Sequence, residues 1–258
     1  NWTLRGVRNQ YLSNSKNNLD EYFPYSLIDN LDNGYRFESS GISITQIINR
    51  DSRDRPEFPT NGSNITLTST YSGGVLGGNE DYIKHDFNIQ WFTPIMDKFV
   101  LHQRIKTGSL KRIYEESKIE SIVPPNSKFI MGGSGIPYGE MLRGYSDNMI
   151  GPLGASFPKG GNIMLKYSLE FRYLISENPN LYILTFMDAG NVWDKIDIVD
   201  PFSLRRSIGI GARVMMPMIG MIGYDIGYGF DPSVQEYLSG NNNAHGWEYH
   251  FIFGMPIN

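Results

Sequence analysis

Cysteine is missing from this 258-residue chain, so neither a disulfide framework nor a thiolate metal site is available to it. No apolar run approaches the ~18 residues from which a membrane-spanning helix is built. Charge of one sign is not in excess either: 23 basic and 27 acidic residues leave a net −4, which gives no electrostatic case for nucleic acid. The glycine-rich stretch from Gly132 to Gly139 lacks the Lys-Ser/Thr pair of a phosphate-binding loop, so no ATP is expected. A Gly-x-Ser-x-Gly nucleophile elbow is lacking too. His85, His102, His245 and His250 share no metal-ligand spacing, and the loop acids Asp194, Asp197 and Asp200 read as solvated. These gaps predict a protein that is not an enzyme and carries no cofactor and no metal.

Aromatic residues and glycine, by contrast, are plentiful, with 16 Tyr, 14 Phe, 4 Trp and 28 Gly. They are arranged with period two, which places alternate side chains on opposite faces of a strand. Ile222, Tyr224, Ile226, Tyr228 and Phe230 alternate with Gly223, Asp225, Gly227 and Gly229. Trp247, Tyr249, Phe251 and Phe253 oppose Glu248, His250, Ile252 and Gly254, and Ile163 to Tyr173 oppose Lys166, Ser168, Glu170 and Arg172. In a water-soluble sandwich the alternate glycines would weaken a strand without return. In a membrane barrel the small and charged face looks into a polar lumen and the aromatic face meets lipid, which also accommodates a mean hydropathy of −0.34.

The pattern predicts an all-β, antiparallel transmembrane β-barrel segment of nine or ten strands. They fall near 246–258, 219–231, 203–217, 180–194, 161–176, 97–109, 81–95, 61–73 and 34–50, with a tenth at Trp2 to Tyr11. Weaker alternation at 34–50 and 180–194 suggests bulges. Tight connections at Met218 to Gly220 and Thr93 to Lys98 alternate with long ones at 231–245, 194–203 and 109–160, as periplasmic turns and extracellular loops do. The segment 110–160 is too long for a passive connection. Its glycines at 132, 133, 135, 139 and 144 suit a loop folded back into a confined lumen. Arg143 would then need carboxylates, and Glu170 and Asp188 fall on inward or plausibly inward positions of the next two strands. Without the flanking motif, Arg143 would read as a surface arginine and the two acids as lumen-solvating groups.

Residues Met131 to Pro152 resemble the sixth-loop motif of the BamA superfamily of outer-membrane assembly and translocation barrels. Gly132-Gly133-Ser134, Leu142-Arg143-Gly144-Tyr145 and Ile150-Gly151-Pro152 occur in that order. The likeness continues through Ser168 to Phe171, through Phe186 to Asp194, and upstream through Arg53-Asp54 and Phe58 to Ser63. Leu142 and Tyr145 are conservative variants of the usual Val and Phe. Ile136 to Met141 is similar to an insertion in the Bacteroidota branch. The resemblance implies a 16-stranded barrel of which this chain is the C-terminal part, with POTRA repeats, first strands and signal peptide outside it, and Arg143 paired to Glu170 and Asp188.

It also implies an outer-membrane insertase that folds client barrels by strand exchange at a weakly closed lateral seam. Trp247, Tyr249, Phe251, Phe253 and Gly254 would form that seam, with Gly254 and Pro256 loosening its end. Implied partners are unfolded outer-membrane protein clients, accessory assembly-machine lipoproteins, and outer-membrane lipids and lipopolysaccharide. Two other readings stay open: a two-partner-type translocation pore, and the membrane anchor of a patatin-like lipase with its catalytic domain upstream.

Overall fold

The structure, a computed structural model, describes residues 1–20, 22–23, 27–114, 121–135, 139–152, 159–216 and 220–254. Its strands are β1 (Trp2–Ser13), β2 (Asp29–Leu31), β3 (Gly34–Asp51), β4 (Gly62–Ser72), β5 (Tyr82–Met96), β6 (Phe99–Arg112), β7 (Ile163–Glu177), β8 (Asn180–Trp193), β9 (Arg205–Met216), β10 (Gly220–Gly229) and β11 (Gly246–Gly254). They form one antiparallel sheet in the order β1-β3-β4-β5-β6-β7-β8-β9-β10-β11, with β2 attached to β3 alone. The sheet is not closed: β1 and β11 are its edges.

Ten long strands match the alternating segments, and the eleventh, β2, is too short at three residues to carry a period. The expected bulges lie elsewhere. β3 keeps an unbroken register against β1 and β4, and its alternation blurs because Gln46 shares the outward parity of Ile48 while Ile47 shares the inward parity of Phe37. One slip falls between Pro94 and Met96 of β5, where proline lacks the N–H the ladder requires. The other lies in β7, between Leu174 and Ser176, rather than in its partner β8. The turn at 217–219 and the terminal residues 255–258, Pro256 among them, lie outside the described residues.

The two faces of the sheet invert the usual sorting of side chains. Phe251 and Phe253 stand 64% and 65% exposed, whereas Asp188 and Asp225, on the opposite face, are 2% and 0% exposed. Water would penalise that arrangement twice, and hydrocarbon outside a charged interior accommodates it. Among the described residues, three apolar clusters are buried. Leu110, Phe129, Met131, Leu142, Tyr145, Ile150, Met164 and Val192 join the 113–162 connection to the wall. A second cluster, around Phe37 and Ile122, caps the loop side near β1 and β3.

The third cluster is a floor at the turn side. The β3–β4 connection, 52–61, folds under the wall and buries Phe58 among Phe92, Val100, Leu174, Tyr182, Leu184 and Phe186, its ring 5.0 Å from that of Tyr182. Asp54 holds the connection in shape by accepting from the Thr60 N–H at 2.8 Å and the Asn61 N–H at 3.1 Å. Phe58→Ala is expected to cost about 3–5 kcal/mol, the range for deleting a buried ring without local collapse. Lowered melting of the compact, heat-modifiable form on semi-native gels would show it, and melting unchanged from the parent would contradict this placement.

An arginine knot held by an inserted loop

The connection expected at 110–160 runs from 113 to 162, because β6 continues to Arg112 and β7 begins at Ile163. Its described parts fold back on themselves. Met131 and Ile150 exchange both backbone hydrogen bonds, at 3.1 and 2.9 Å, and Gly133 bridges Leu142. Residues 136–138 of the suggested insertion lie outside the described residues. Ser134 adds a side-chain bond to Asp147, at 3.1 Å. The tip formed by Leu142, Arg143, Gly144 and Tyr145 is thereby carried to the inner face of β7 to β11.

Arg143, 2% exposed, lies between two strands' carboxylates. Its Nε and one terminal nitrogen donate to both oxygens of Asp188, at 2.7 and 2.8 Å, and the other terminal nitrogen meets Glu170 at 2.7 Å. The guanidinium plane also rests 3.7 Å from the centre of the Phe186 ring, a cation–π contact. Ser168 donates to Asp188 and accepts from Arg143 at 3.3 Å. Sequence reading found Glu170 and Asp188 but missed the rest of the knot. Asp225 stands 3.7 Å from Arg143 and is forked by Arg213 at 2.6 and 2.7 Å. Arg172 donates to Glu170 at 2.6 and 2.8 Å and touches His102 at 2.8 Å. Shared inward parity was the signal, since all of these wall residues alternate with the outward aromatic and aliphatic row.

Three guanidinium groups, Arg143, Arg172 and Arg213, thus face three carboxylates, Glu170, Asp188 and Asp225. The group is neutral as a whole, which is how buried charge is tolerated. Burial alone would lower the Arg143 pKa, but the attraction of Asp188 and Glu170 outweighs it and moves the value up, so the side chain stays charged. Among the described residues, no group of three or more His, Cys, Asp or Glu is placed to hold a metal ion.

Two further contacts fix the loop. Glu140 accepts from Lys106 and, at 3.4 Å, from Lys166. Burial would raise its pKa, yet Lys166 and Lys106 overcome this and hold it at about 2. A carboxyl depressed in the folded state contributes stability above its unfolded pKa of about 4.5, and that contribution is lost as pH falls toward 2. Acidification through this window is expected to make the loop accessible to an acid-active protease, and Glu140→Gln to abolish most of the pH dependence. Tyr145 donates through its hydroxyl to the Arg206 carbonyl at 2.8 Å and accepts from the Asp231 N–H at 3.3 Å.

Gly144 is the point of closest approach. At φ +81 it occupies the left-handed region, and its backbone lies against β10. A Cβ on Gly227 would come within 2.7 Å of the Gly144 nitrogen, and one on Gly229 within 2.4 Å of its oxygen. The alternate glycines of β10 therefore make space for the loop main chain. In β11, Trp247, Tyr249, Phe251 and Phe253 point outward and are exposed, and Gly254, paired with Met221, has nothing within 4 Å of where a Cβ would stand.

An antiparallel wall that is apolar outside and filled by charge and an inserted loop inside has the architecture of an outer-membrane β-barrel. The Omp85 superfamily domain matches residues 1–255, and the chain belongs to that superfamily. It is similar to the outer membrane protein assembly factor BamA of Nitratidesulfovibrio vulgaris, 26% identical over 220 residues that make up 83% of this chain and 26% of that protein. The crystal structure of BamA from Haemophilus ducreyi lacking POTRA domains 1-3 shares the fold, with a TM-score of 0.66 and 21% identity, over 97% of this chain and 49% of that one. The chain thus spans about a quarter of the curated relative and about half of the solved one.

Proposed function

We propose that this chain is the C-terminal wall of a non-enzymatic outer-membrane insertase, part of a 16-stranded barrel that folds and inserts client β-barrels through a seam at β11. The observation that carries the reading is the weak attachment of that strand. It is an edge of the described sheet, and His250 alone among the side chains of Gly246–Gly254 is buried. Trp247, Tyr249, Phe251, Phe253 and Gly254 form the seam in this reading. An unpaired edge in hydrocarbon costs several kcal/mol, so the edge rests paired and opens transiently to an incoming strand. Backbone hydrogen bonds then supply affinity, and outward aromatic pockets set the register. The firm knot around Arg143 supports the same reading, since it keeps the wall beside the seam from collapsing when the seam opens.

Membership of the superfamily and similarity to an outer membrane protein assembly factor support unfolded outer-membrane proteins as clients, and in this reading accessory lipoproteins and outer-membrane lipid and lipopolysaccharide surround the barrel. The test is reconstitution. Intact protein in liposomes is expected to speed the folding of a urea-unfolded eight-stranded client by at least about tenfold over protein-free liposomes, a difference of roughly 1.4 kcal/mol in barrier. Equal rates with and without the protein would overturn the proposal.

A further inference from the structure

The inserted loop touches the last strand directly, and these contacts lie outside the arginine knot. The Gly144 N–H donates to Nε2 of His250 at 3.0 Å, in a buried position. Ser146 Oγ donates to Glu248 at 2.5 Å. His245, immediately before β11, stacks on Tyr145 with ring centres 5.3 Å apart. Its Nδ1 lies 2.8 Å from Glu236 and its Nε2 3.1 Å from Glu248. Glu236 is itself fixed in a capping box with Ser233 at the start of the short helix Val234–Leu238. Each contact falls between residues 245 and 250. Beyond His250, residues 251–254 pair with Met221 to Tyr224 of β10, and the Phe251 ring lies 4.9 Å from that of Tyr224.

We propose that the loop latches the near half of β11: His250 and Glu248 are positioning residues that tie the strand to Gly144 and Ser146, whereas residues 251–254 are left to their ladder with β10. The physical basis is satisfaction of buried donors. Gly144, at positive φ, points its N–H away from any ladder, and a buried N–H without an acceptor is destabilising. The His250 ring supplies the acceptor, so displacement of the strand's near half orphans that donor. The inference deepens the insertase reading by naming what regulates its seam, and rests on it only for the consequence in client folding.

Amide hydrogen exchange on the intact protein in detergent, with no client present, tests the latch. In the double variant His250→Phe/Ser146→Ala, exchange of the amides of residues 246–250 is expected to rise at least about tenfold, while β7 to β9 stay as in the parent. His250→Gln, whose amide oxygen replaces the ring acceptor, should remain within about twofold of the parent. Three outcomes overturn the proposal: no rise in the double variant, an equal rise across β7 to β9, or a His250→Gln protein that exchanges as fast as His250→Phe. Should the double variant fail to insert, Ser146→Ala alone carries the test, with a rise of about threefold expected and none overturning it. Failure of the insertase reading would instead appear as unaccelerated client folding with the parent protein, whatever the exchange result.

Discussion

Arg143→Ala is expected to lower the melting temperature of the folded barrel by on the order of 10 °C and to fail to replace the parent protein in cells depleted of it. The substitution leaves three carboxylates facing two guanidinium groups at a site where Asp188 and Asp225 are almost wholly buried. Removing one partner of a buried pair costs about 3–5 kcal/mol, because the other charge stays desolvated without compensation. At roughly 2–4 °C per kcal/mol for a domain approaching this size, the shift follows. Arg143→Lys should recover less than half of the loss. An ammonium cannot fork both oxygens of Asp188, reach Glu170 and lie flat on Phe186 at once. Adding Asp188→Asn to Arg143→Ala should be far less harmful than the two losses summed, since it removes the stranded charge. A melting temperature within about 1 °C of the parent for Arg143→Ala, or full complementation, would remove the arginine from its assigned place.

Gly229→Val is the second large effect. Even the first carbon of the new side chain would stand 2.4 Å from the Gly144 carbonyl oxygen and 3.1 Å from the Tyr145 ring. Overpacking costs about 1–3 kcal/mol where neighbours can adjust. Here the nearest neighbour is backbone, pinned by Arg143 on one side and the Tyr145 hydroxyl on the other, so the upper end of that range or beyond is expected. The loop should detach and become open to protease while the strands stay inserted. Gly254→Ala supplies the contrast: nothing lies within 4 Å of the added methyl, and melting should move by no more than the roughly 0.5 kcal/mol of an exposed site. Equal tolerance of both substitutions would contradict a loop seated on β10.

The strands were legible because the bilayer imposes a strict period, and each outward row from Ile163 to Tyr173 or Trp247 to Phe253 is written in aromatic and aliphatic residues. Strand β2 was not legible, since three residues leave no period to detect. The slip at Pro94 was readable in principle from the missing donor, yet the search for bulges followed weak alternation and so pointed at β3, where a polar residue merely faces outward. For the knot, the motif around Arg143 and the parity of β7 and β8 brought out Glu170 and Asp188. Asp225, Arg172 and Arg213 sit on faces whose polarity was evident, but which of several inward charges meet depends on how far each strand is displaced along its neighbour. The contact of Phe186 with Arg143 escaped notice for a related reason: an inward phenyl ring reads as an exception to a polar face until a guanidinium is found lying on it. The contact of Gly144 with His250 joins positions 106 residues apart, and nothing local to either announces it.

The seat that Gly227 and Gly229 provide comes after the loop in the chain, so the object precedes its socket. A nascent polypeptide emerging in that order presents the folded tip as a mandrel, around which the closing hairpins are wound. Polypeptide truncated after β8 would keep the tip with Asp188 and Glu170 to grip it, whereas strands β9 to β11 supplied without the tip would have a hollow and nothing to shape them.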